Sequence, residues 1–324
     1  MFLAWKEFRA GKRKKTDVLV FEKNLKENIL KLHRELKDKT YKHSDYVSFY
    51  INDPKLRKIN KATVQDRVLH HAIFRKLYPA FDKLFIFDSY SCRDEKGTHR
   101  AVNRLRKFAG KVSKNNTKTC FFLKCDVKKF FDSIDHGILM ELIKKEIKDN
   151  DSLWLIEKII KSFSAAENKG LPLGNITSQL FANIYLNELD KFIKHSLKVK
   201  YYIRYCDEFL IIDTNSTHLE NLIPKVSDFV DKNLNLFLHP EKTIIKKYRQ
   251  GVDFLGYVSF PRHRILRTKT KNRIINKIKS KLFLLKQDKL SGQSFNQTIQ
   301  SYFGVLKHCN GHKIKEKIAK LFCL

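Results

Sequence analysis

Asp126 lies near the end of an apolar run, Cys120 to Val127, that a single basic side chain, Lys124, interrupts. Asp207 and Glu208 lie between two further strand-like runs, Tyr201 to Tyr205 and Phe209 to Ile212. Carboxylates delivered by strands are the donors that hard divalent cations prefer. Mg²⁺ takes a few carboxylate oxygens and completes its shell with phosphate and water. Two such ions side by side can activate a 3′-hydroxyl and stabilise a departing pyrophosphate. Phosphoryl transfer asks little more of side chains than positioning and charge neutralisation. The same acids also fit solvated turn carboxylates or salt-bridge partners, and spacing alone leaves both readings open. Adjacent strands in one sheet would bring the two groups of acids together.

The elements around these acids are legible from periodicity. Residues 1–44 read as basic amphipathic helices, with Phe21, Leu25, Ile29, Leu32 and Leu36 at steps of three and four. Tyr46 to Ile51, the turn signal Asn52-Asp53-Pro54 and Lys55 to Ile59 predict a basic β-hairpin. Helical spacing returns over 62–85 and again from Gly97 to Phe108, and Lys111 to Lys118 reads as a loop. A helix is expected to start near Ser133 to His136. Gly170 to Asn175 forms a turn-rich loop, after which Thr177 or Ser178 is expected to cap a helix with Leu180, Phe181, Ile184, Leu189, Phe192 and Ile193 on its apolar face. Tyr201 to Ile212 predicts a hairpin with its acids at the turn. Val252 to Phe260 is a small strand-like unit, and a strongly basic helix with Ile274, Ile275, Ile278, Leu282 and Leu285 follows Arg267. Neither an internal repeat nor a flexible linker interrupts the chain, so its segments should fold as subdomains of one body.

Composition narrows the partners. The 324 residues carry 66 Lys plus Arg against 34 Asp plus Glu, a formal net charge of +32 spread along the whole chain. Such a surplus repels itself unless a polyanion neutralises it, so nucleic acid is the default partner. A hydrophobic fraction of 42% with 25 Phe supports a real core and excludes collagen-like and disordered classes. The six cysteines are scattered without a Cys-x-x-Cys pair, against both a disulfide scaffold and a zinc ribbon; His308, Cys309 and His312 lack a fourth ligand nearby. No window approaches the roughly 18 uninterrupted apolar residues that span a bilayer. The expectation is a cytoplasmic protein with no membrane partner.

The stretch from Phe122 through Asp126 and Phe131 to His136, Gly170 to Leu189, Tyr202 through Asp207 to Ile211, and Phe254 to Tyr257 resemble, in order, the palm motifs of bacterial reverse transcriptases. Asp66 to Val68, and Ser89-Tyr90 through Gly97 to Arg100, resemble the finger motifs of the same family. The likeness covers nearly the whole chain. It implies an α+β right-hand polymerase, with an antiparallel palm sheet backed by helices and a helical thumb. The implied divisions are 1–115 for N-terminal helices and fingers, 116–250 for the palm, and 251–324 for primer grip and thumb. It further implies two Mg²⁺ ions, with Mn²⁺ as a possible substitute, an RNA template, a cDNA or primer strand, and deoxynucleotide substrates.

Carried over residue by residue, Asp126, the carbonyl of Val127, Asp207 and the adjoining Glu208 would face the metals. Phe131 falls where the family places the gate against a 2′-hydroxyl; a packed core aromatic is the plainer alternative. Lys55 and Arg57 would grip the triphosphate, or else belong to a solvated basic strand. Leu173 and Gly174 would lie against the nucleotide. Lys242 matches a family lysine proposed as proton donor to pyrophosphate. Phe254, Leu255, Gly256 and Tyr257 resemble the primer grip. Two departures stand out. Glu208 occupies the place of a usual aspartate; successive residues of an extended chain face opposite ways, so it would sit more peripherally than Asp207. Leu173 replaces a usual glutamine and cannot donate the hydrogen bonds that discriminate against mismatches.

An aliphatic residue there, followed by Gly174 to Gln179, is similar to the reverse transcriptases of diversity-generating retroelements. That subclass implies error-prone copying at template adenines, mutagenic retrohoming and a small basic accessory protein. It also implies a bacterial or phage-encoded source. A chain ending soon after the thumb leaves no room for the maturase and endonuclease regions of mobile-intron enzymes. Other expectations compatible with the motifs are a phage-defence reverse transcriptase, a terminal transferase, and an RNA-binding scaffold whose site Glu208 has impaired.

Overall fold

The computed structural model describes residues 1–52 and 56–321. Three helices, α1 (Phe2–Arg9), α2 (Thr16–Lys23) and α3 (Leu25–Lys37), open the chain and pack Trp5, Phe8, Val18 and Ile29 into a small core. The strands β1 (Val47–Asn52) and β2 (Leu56–Lys61) form an antiparallel ribbon that joins no other strand among the described residues. The turn signal Asp53-Pro54 lies outside the described residues. Helix α4 (Val64–Asp82) follows, capped by Thr63, whose hydroxyl accepts the Asp66 N–H. Helix α5 (Thr98–Val112) runs further than the sequence reading expected, into the stretch read as a loop.

The centre is a four-stranded antiparallel sheet built by β3 (Phe121–Asp126), β4 (Tyr202–Tyr205), β5 (Glu208–Asp213) and β6 (Ile244–Lys247), in the order β4-β5-β3-β6. Period-2 alternation serves two cores at once. Leu123, Cys125, Tyr202, Phe209 and Ile211 join the larger core, whereas Phe122, Ile203, Leu210 and Ile212 join the second. Burial on both faces explains why these strands read as continuous apolar runs. Between β3 and β4 lie α6 (Phe130–Ser133), α7 (His136–Glu146), α8 (Asn150–Lys161) and α9 (Ile176–Lys191), and α10 (Ser216–Leu234) separates β5 from β6.

The start of α9 corrects the sequence reading. Asn175, not Thr177 or Ser178, is the N-cap residue, and both hydroxyl residues are already buried inside the helix. Asn175 provides no side-chain cap; its amide donates instead to the Asn60 carbonyl at 3.0 Å. The site loop is thereby fastened to β2 rather than to its own helix.

Three short strands, β7 (Val252–Phe254), β8 (Tyr257–Ser259) and β9 (Arg264–Leu266), form a second antiparallel sheet. The last of these was not anticipated. The chain continues as α11 (Thr268–Lys286), α12 (Gly292–Leu306) and α13 (His312–Ala319). Ile274, Ile278, Phe295, Ile299 and Ile318 bury themselves in the second core, leaving the lysines of α11 largely outside. Among the described residues, no helix is long and apolar enough to cross a membrane.

Candidate active site

Backbone register creates the site. Asp126 at the end of β3 stands directly opposite Glu208 at the start of β5, and Tyr205 pairs with Glu208 across the next hairpin. A two-residue turn, Cys206-Asp207, therefore projects beside Asp126. Tight hairpin turns of this length need a residue with positive φ, and Cys206 supplies it at 56°. Glu208 thus begins the strand and is not part of the turn where the sequence reading put it. The Val127 N–H donates to the Asp207 carbonyl at 3.1 Å, and His239 N–H donates to the Asp126 carbonyl at 2.7 Å. The strand ends are held from both sides.

A cleft of about 1120 Å³ opens over these acids. Asp126, Asp207, Glu208 and Lys242 line its floor, with Phe131, Leu173, Gly174 and Gln179 to one side. Arg57, Thr98 and His99 approach from the N-terminal half, and Leu255, Gly256, Tyr257, Lys269 and Arg273 from the C-terminal half. The acidic floor is ringed by cations, an arrangement suited to a polyanion whose reacting phosphate needs hard cations at one spot.

The acids have different environments. Burial, and then the negative charge of Asp126, pushes the Asp207 carboxyl above its ordinary value. Asp126 Oδ1 accepts from Lys242 Nζ at 2.6 Å, across the short helical turn Pro240–Lys242. Glu208 Oε1 lies 2.5 Å from Lys124 Nζ. Burial raises the Glu208 carboxyl, and the Lys124 charge opposes that rise. Among the described residues, no three His, Cys, Asp or Glu side chains converge as a metal cage. An oxygen-only pair with a lysine ammonium already against one member still fits Mg²⁺, which needs one or two carboxylates and takes its remaining ligands from substrate and water.

Most of the residues singled out from sequence meet in this cleft. Val127 and Phe254 are buried beneath it, 1% and 0% exposed, so Val127 can offer only main-chain atoms and Phe254 acts as core. Lys55 lies outside the described residues. Phe131 is half-buried, edge-on to Phe130, and its ring borders the cleft. Gly174 adopts φ +110°, and a Cβ there would lie 2.8 Å from Ile59 Cγ2, so the close approach of this loop to β2 demands glycine. Leu255 and Gly256 form the β7–β8 turn with φ of 52° and 86°. A leucine in the left-handed region costs about 1–2 kcal/mol, strain of the kind that gathers at functional sites.

Sequence reasoning assigned no role to four residues that take part. Lys124 was visible as the one basic residue in an otherwise apolar run. His99 and Gln179 lay within stretches that resemble family motifs but were given no role of their own. Arg204 is fully buried under the turn, with Nε and Nη2 on the Asp190 carboxylate at 2.7 and 2.6 Å and Nη1 on the Cys206 carbonyl at 3.1 Å.

A palm-like antiparallel sheet carrying paired acids, an N-terminal half reaching over it and a helical C-terminal lobe beyond it together make a right-hand polymerase fold. Among solved structures, apo telomerase from Candida tropicalis is similar with a TM-score of 0.54 and 14% identity, covering 86% of this chain and 59% of that one. Telomerase from Candida albicans in complex with a fragment of telomeric RNA gives 0.52 and 12%, covering 88% and 58%. At these identities the likeness is one of fold. The family described as reverse transcriptase (RNA-dependent DNA polymerase) matches residues 17–259, and the chain belongs to it.

Among curated proteins, the chain is similar to the group II intron-encoded protein LtrA of Lactococcus lactis subsp. cremoris. The two are 27% identical over 303 residues, covering 71% of this chain and 49% of that protein. It is also 25% identical over 256 residues to protein YkfC of Escherichia coli K12, covering 67% and 65%. The chain spans about half the length of the intron-encoded relative.

Proposed function

We propose that this protein is an RNA-directed DNA polymerase that extends a primer strand with deoxynucleotides on an RNA template. The observation that carries the reading is the register that sets Asp126 beside the Asp207 turn on the floor of a cation-ringed cleft. Asp126, the Val127 carbonyl and Asp207 would hold two Mg²⁺ ions, or Mn²⁺ in their place, which would supply activation of the primer 3′-hydroxyl and charge balance on the leaving pyrophosphate. Lys242 is positioned at the acid pair to return a proton to that pyrophosphate. Phe131 closes the space next to the sugar, against a 2′-hydroxyl. Arg57 faces the triphosphate from the ribbon. The turn Leu255-Gly256 and the ring of Tyr257 cradle the primer end, and the lysines of α11 track the duplex backbone. In this reading residues 1–115 act as N-terminal helices and fingers, 116–250 as palm, and 251–324 as primer grip and thumb.

The finer assignment is to the error-prone enzyme of a diversity-generating retroelement, working in the cytoplasm with a small basic accessory protein. It rests on Leu173, half-buried at the cleft with its carbonyl tied to the Asn60 N–H at 3.0 Å. Its backbone is fixed against β2, and its side chain offers the templating pair no hydrogen bond. Leu173→Gln is expected to lower misincorporation opposite template adenine about 3- to 10-fold, the worth of one hydrogen bond. An unchanged error spectrum removes this residue from the explanation.

Primer extension on a defined RNA, with four deoxynucleotides and Mg²⁺ and sequencing of the product, tests the whole. Templated extension with errors gathered at adenines supports both levels. Accurate copying keeps the polymerase and rejects the subclass. Extension that persists without template points to a terminal transferase. RNA binding without extension, in the presence of any cognate RNA and accessory protein, leaves a scaffold.

A further inference from the structure

Lys124 is the one basic residue in β3, and its ammonium does two things at once. It lies 2.5 Å from Glu208 Oε1 and donates to the main-chain carbonyl of Asp253, in β7, at 2.8 Å. The sheet register explains the first contact. Lys124 stands opposite Leu210 and Asp126 opposite Glu208, so Lys124 and Glu208 are diagonal neighbours on one sheet face. Diagonal neighbours have Cβ atoms separated by up to roughly 7–8 Å, a gap that a long lysine closes with a glutamate more readily than with an aspartate.

The second contact leads on to the primer side of the cleft. The Asp253 carboxylate is ion-paired with the Arg267 guanidinium, and Arg267 N–H donates to the Gly256 carbonyl at 2.9 Å. Gly256 and its strained neighbour Leu255 form the turn that borders the cleft. A continuous chain of polar contacts therefore runs from the catalytic sheet to that turn: Glu208, Lys124, Asp253, Arg267, Gly256. Lys124 and Glu208 are both largely shielded, with side chains 17% and 16% exposed, so the link is screened far less than a surface pair.

We propose that Glu208 and Lys124 are a positioning pair that sets the 255–256 turn, and with it the primer end, against the catalytic acids. The inference rests on the polymerase reading and gives the extra methylene at position 208 a purpose: reaching Lys124. Glu208 is assigned to the placement of the primer, while Asp126 and Asp207 carry the ions.

The test uses the full chain with Lys124→Met, Lys124→Arg, Glu208→Gln, Glu208→Asp and the double variant Lys124→Met/Glu208→Gln. The first readout is affinity for a chain-terminated DNA primer annealed to RNA, by fluorescence anisotropy at fixed salt, with neither nucleotide nor divalent ion. The second is steady-state extension resolved into KM for primer and kcat. Lys124→Met, Glu208→Gln and Glu208→Asp are each expected to weaken primer binding and raise its KM about 5- to 10-fold, with a smaller change in kcat. The double variant should be no weaker than the worse single variant, and Lys124→Arg should retain most of the affinity. Where Lys124→Met fails to fold, Glu208→Asp, which keeps the charge, carries the same binding comparison. Unchanged primer affinity in Glu208→Asp overturns the proposal, as does a kcat loss that follows divalent-ion concentration. Because binding is read without turnover, a chain that never extends a primer would sink the polymerase reading and still leave this coupling measurable.

Discussion

Asp126→Ala is expected to abolish templated primer extension while leaving the protein folded. The carboxylate sits at a strand end, and its loss costs transition-state charge stabilisation worth several kcal/mol, a fall in kcat of about 10³-fold or more. Its backbone contribution survives the substitution, because the Asp126 carbonyl still accepts the His239 N–H and the main chain still pairs with Glu208. The ion pair it gives up, with a Lys242 side chain 39% exposed, is a minor loss to stability. Single-turnover extension beside a thermal melt separates the two effects. Retention of more than a tenth of the wild-type rate in a folded variant would remove Asp126 from the chemistry.

The second large effect is on folding. Arg204→Met leaves the Asp190 carboxylate, 0% exposed, with only the Tyr202 hydroxyl donating to it at 2.7 Å among the side-chain bonds described. Breaking a buried pair by removing one partner costs about 3–5 kcal/mol, a large share of the roughly 5–15 kcal/mol that stabilises a domain. The denaturant midpoint should drop accordingly. Arg204→Met/Asp190→Leu should recover a substantial part, since the stranded charge is gone. The Cys206 carbonyl also loses its 3.1 Å donor, so folded material should show weakened catalysis as the Asp207 turn loosens. A midpoint within 1 kcal/mol of wild type, on the order of ordinary surface substitutions, would refute this account.

The acids of the cleft were legible in the sequence because their strands are buried on both faces, and mostly apolar runs next to acids stand out in so basic a chain. The region of β7 and β8 was legible only as a small strand-like unit, Val252 to Phe260, and the basic helix after it by its helical spacing. The cap of the helix after Asn175 was placed two or three residues late, at Thr177 or Ser178. Cap preferences favour Thr and Ser, but here both hydroxyls are buried within the helix and Asn175 is claimed by Asn60. Partnerships across the fold were not legible at all. Nothing local to Tyr202-Ile203-Arg204 shows that Arg204 will be buried against a helix residue, and nothing near Glu208 distinguishes a carboxylate aimed at metal from one aimed at Lys124. Those choices belong to register and tertiary packing, which a one-dimensional pattern carries only by implication.

The β1–β2 ribbon has a mechanical consequence. All six residues of β1 are exposed, as are Leu56 to Lys58 of β2, and the ribbon pairs only with itself among the described strands. Its root is fastened, by Asn60 to the Leu173 carbonyl and by Lys61 to Asp17 at 2.6 Å. The ribbon is thus a cantilever, stiff at Asn60 and compliant towards Asn52 and Leu56. Local opening free energy falls along its length, so amide hydrogen exchange grades from slow at the root to fast at the outer pairs while the central sheet stays closed. Arg57 rides on the compliant part, whereas Leu173 is bonded to the fixed root, so in the proposed reading a grip on an incoming triphosphate can yield and re-form without disturbing the Leu173 loop.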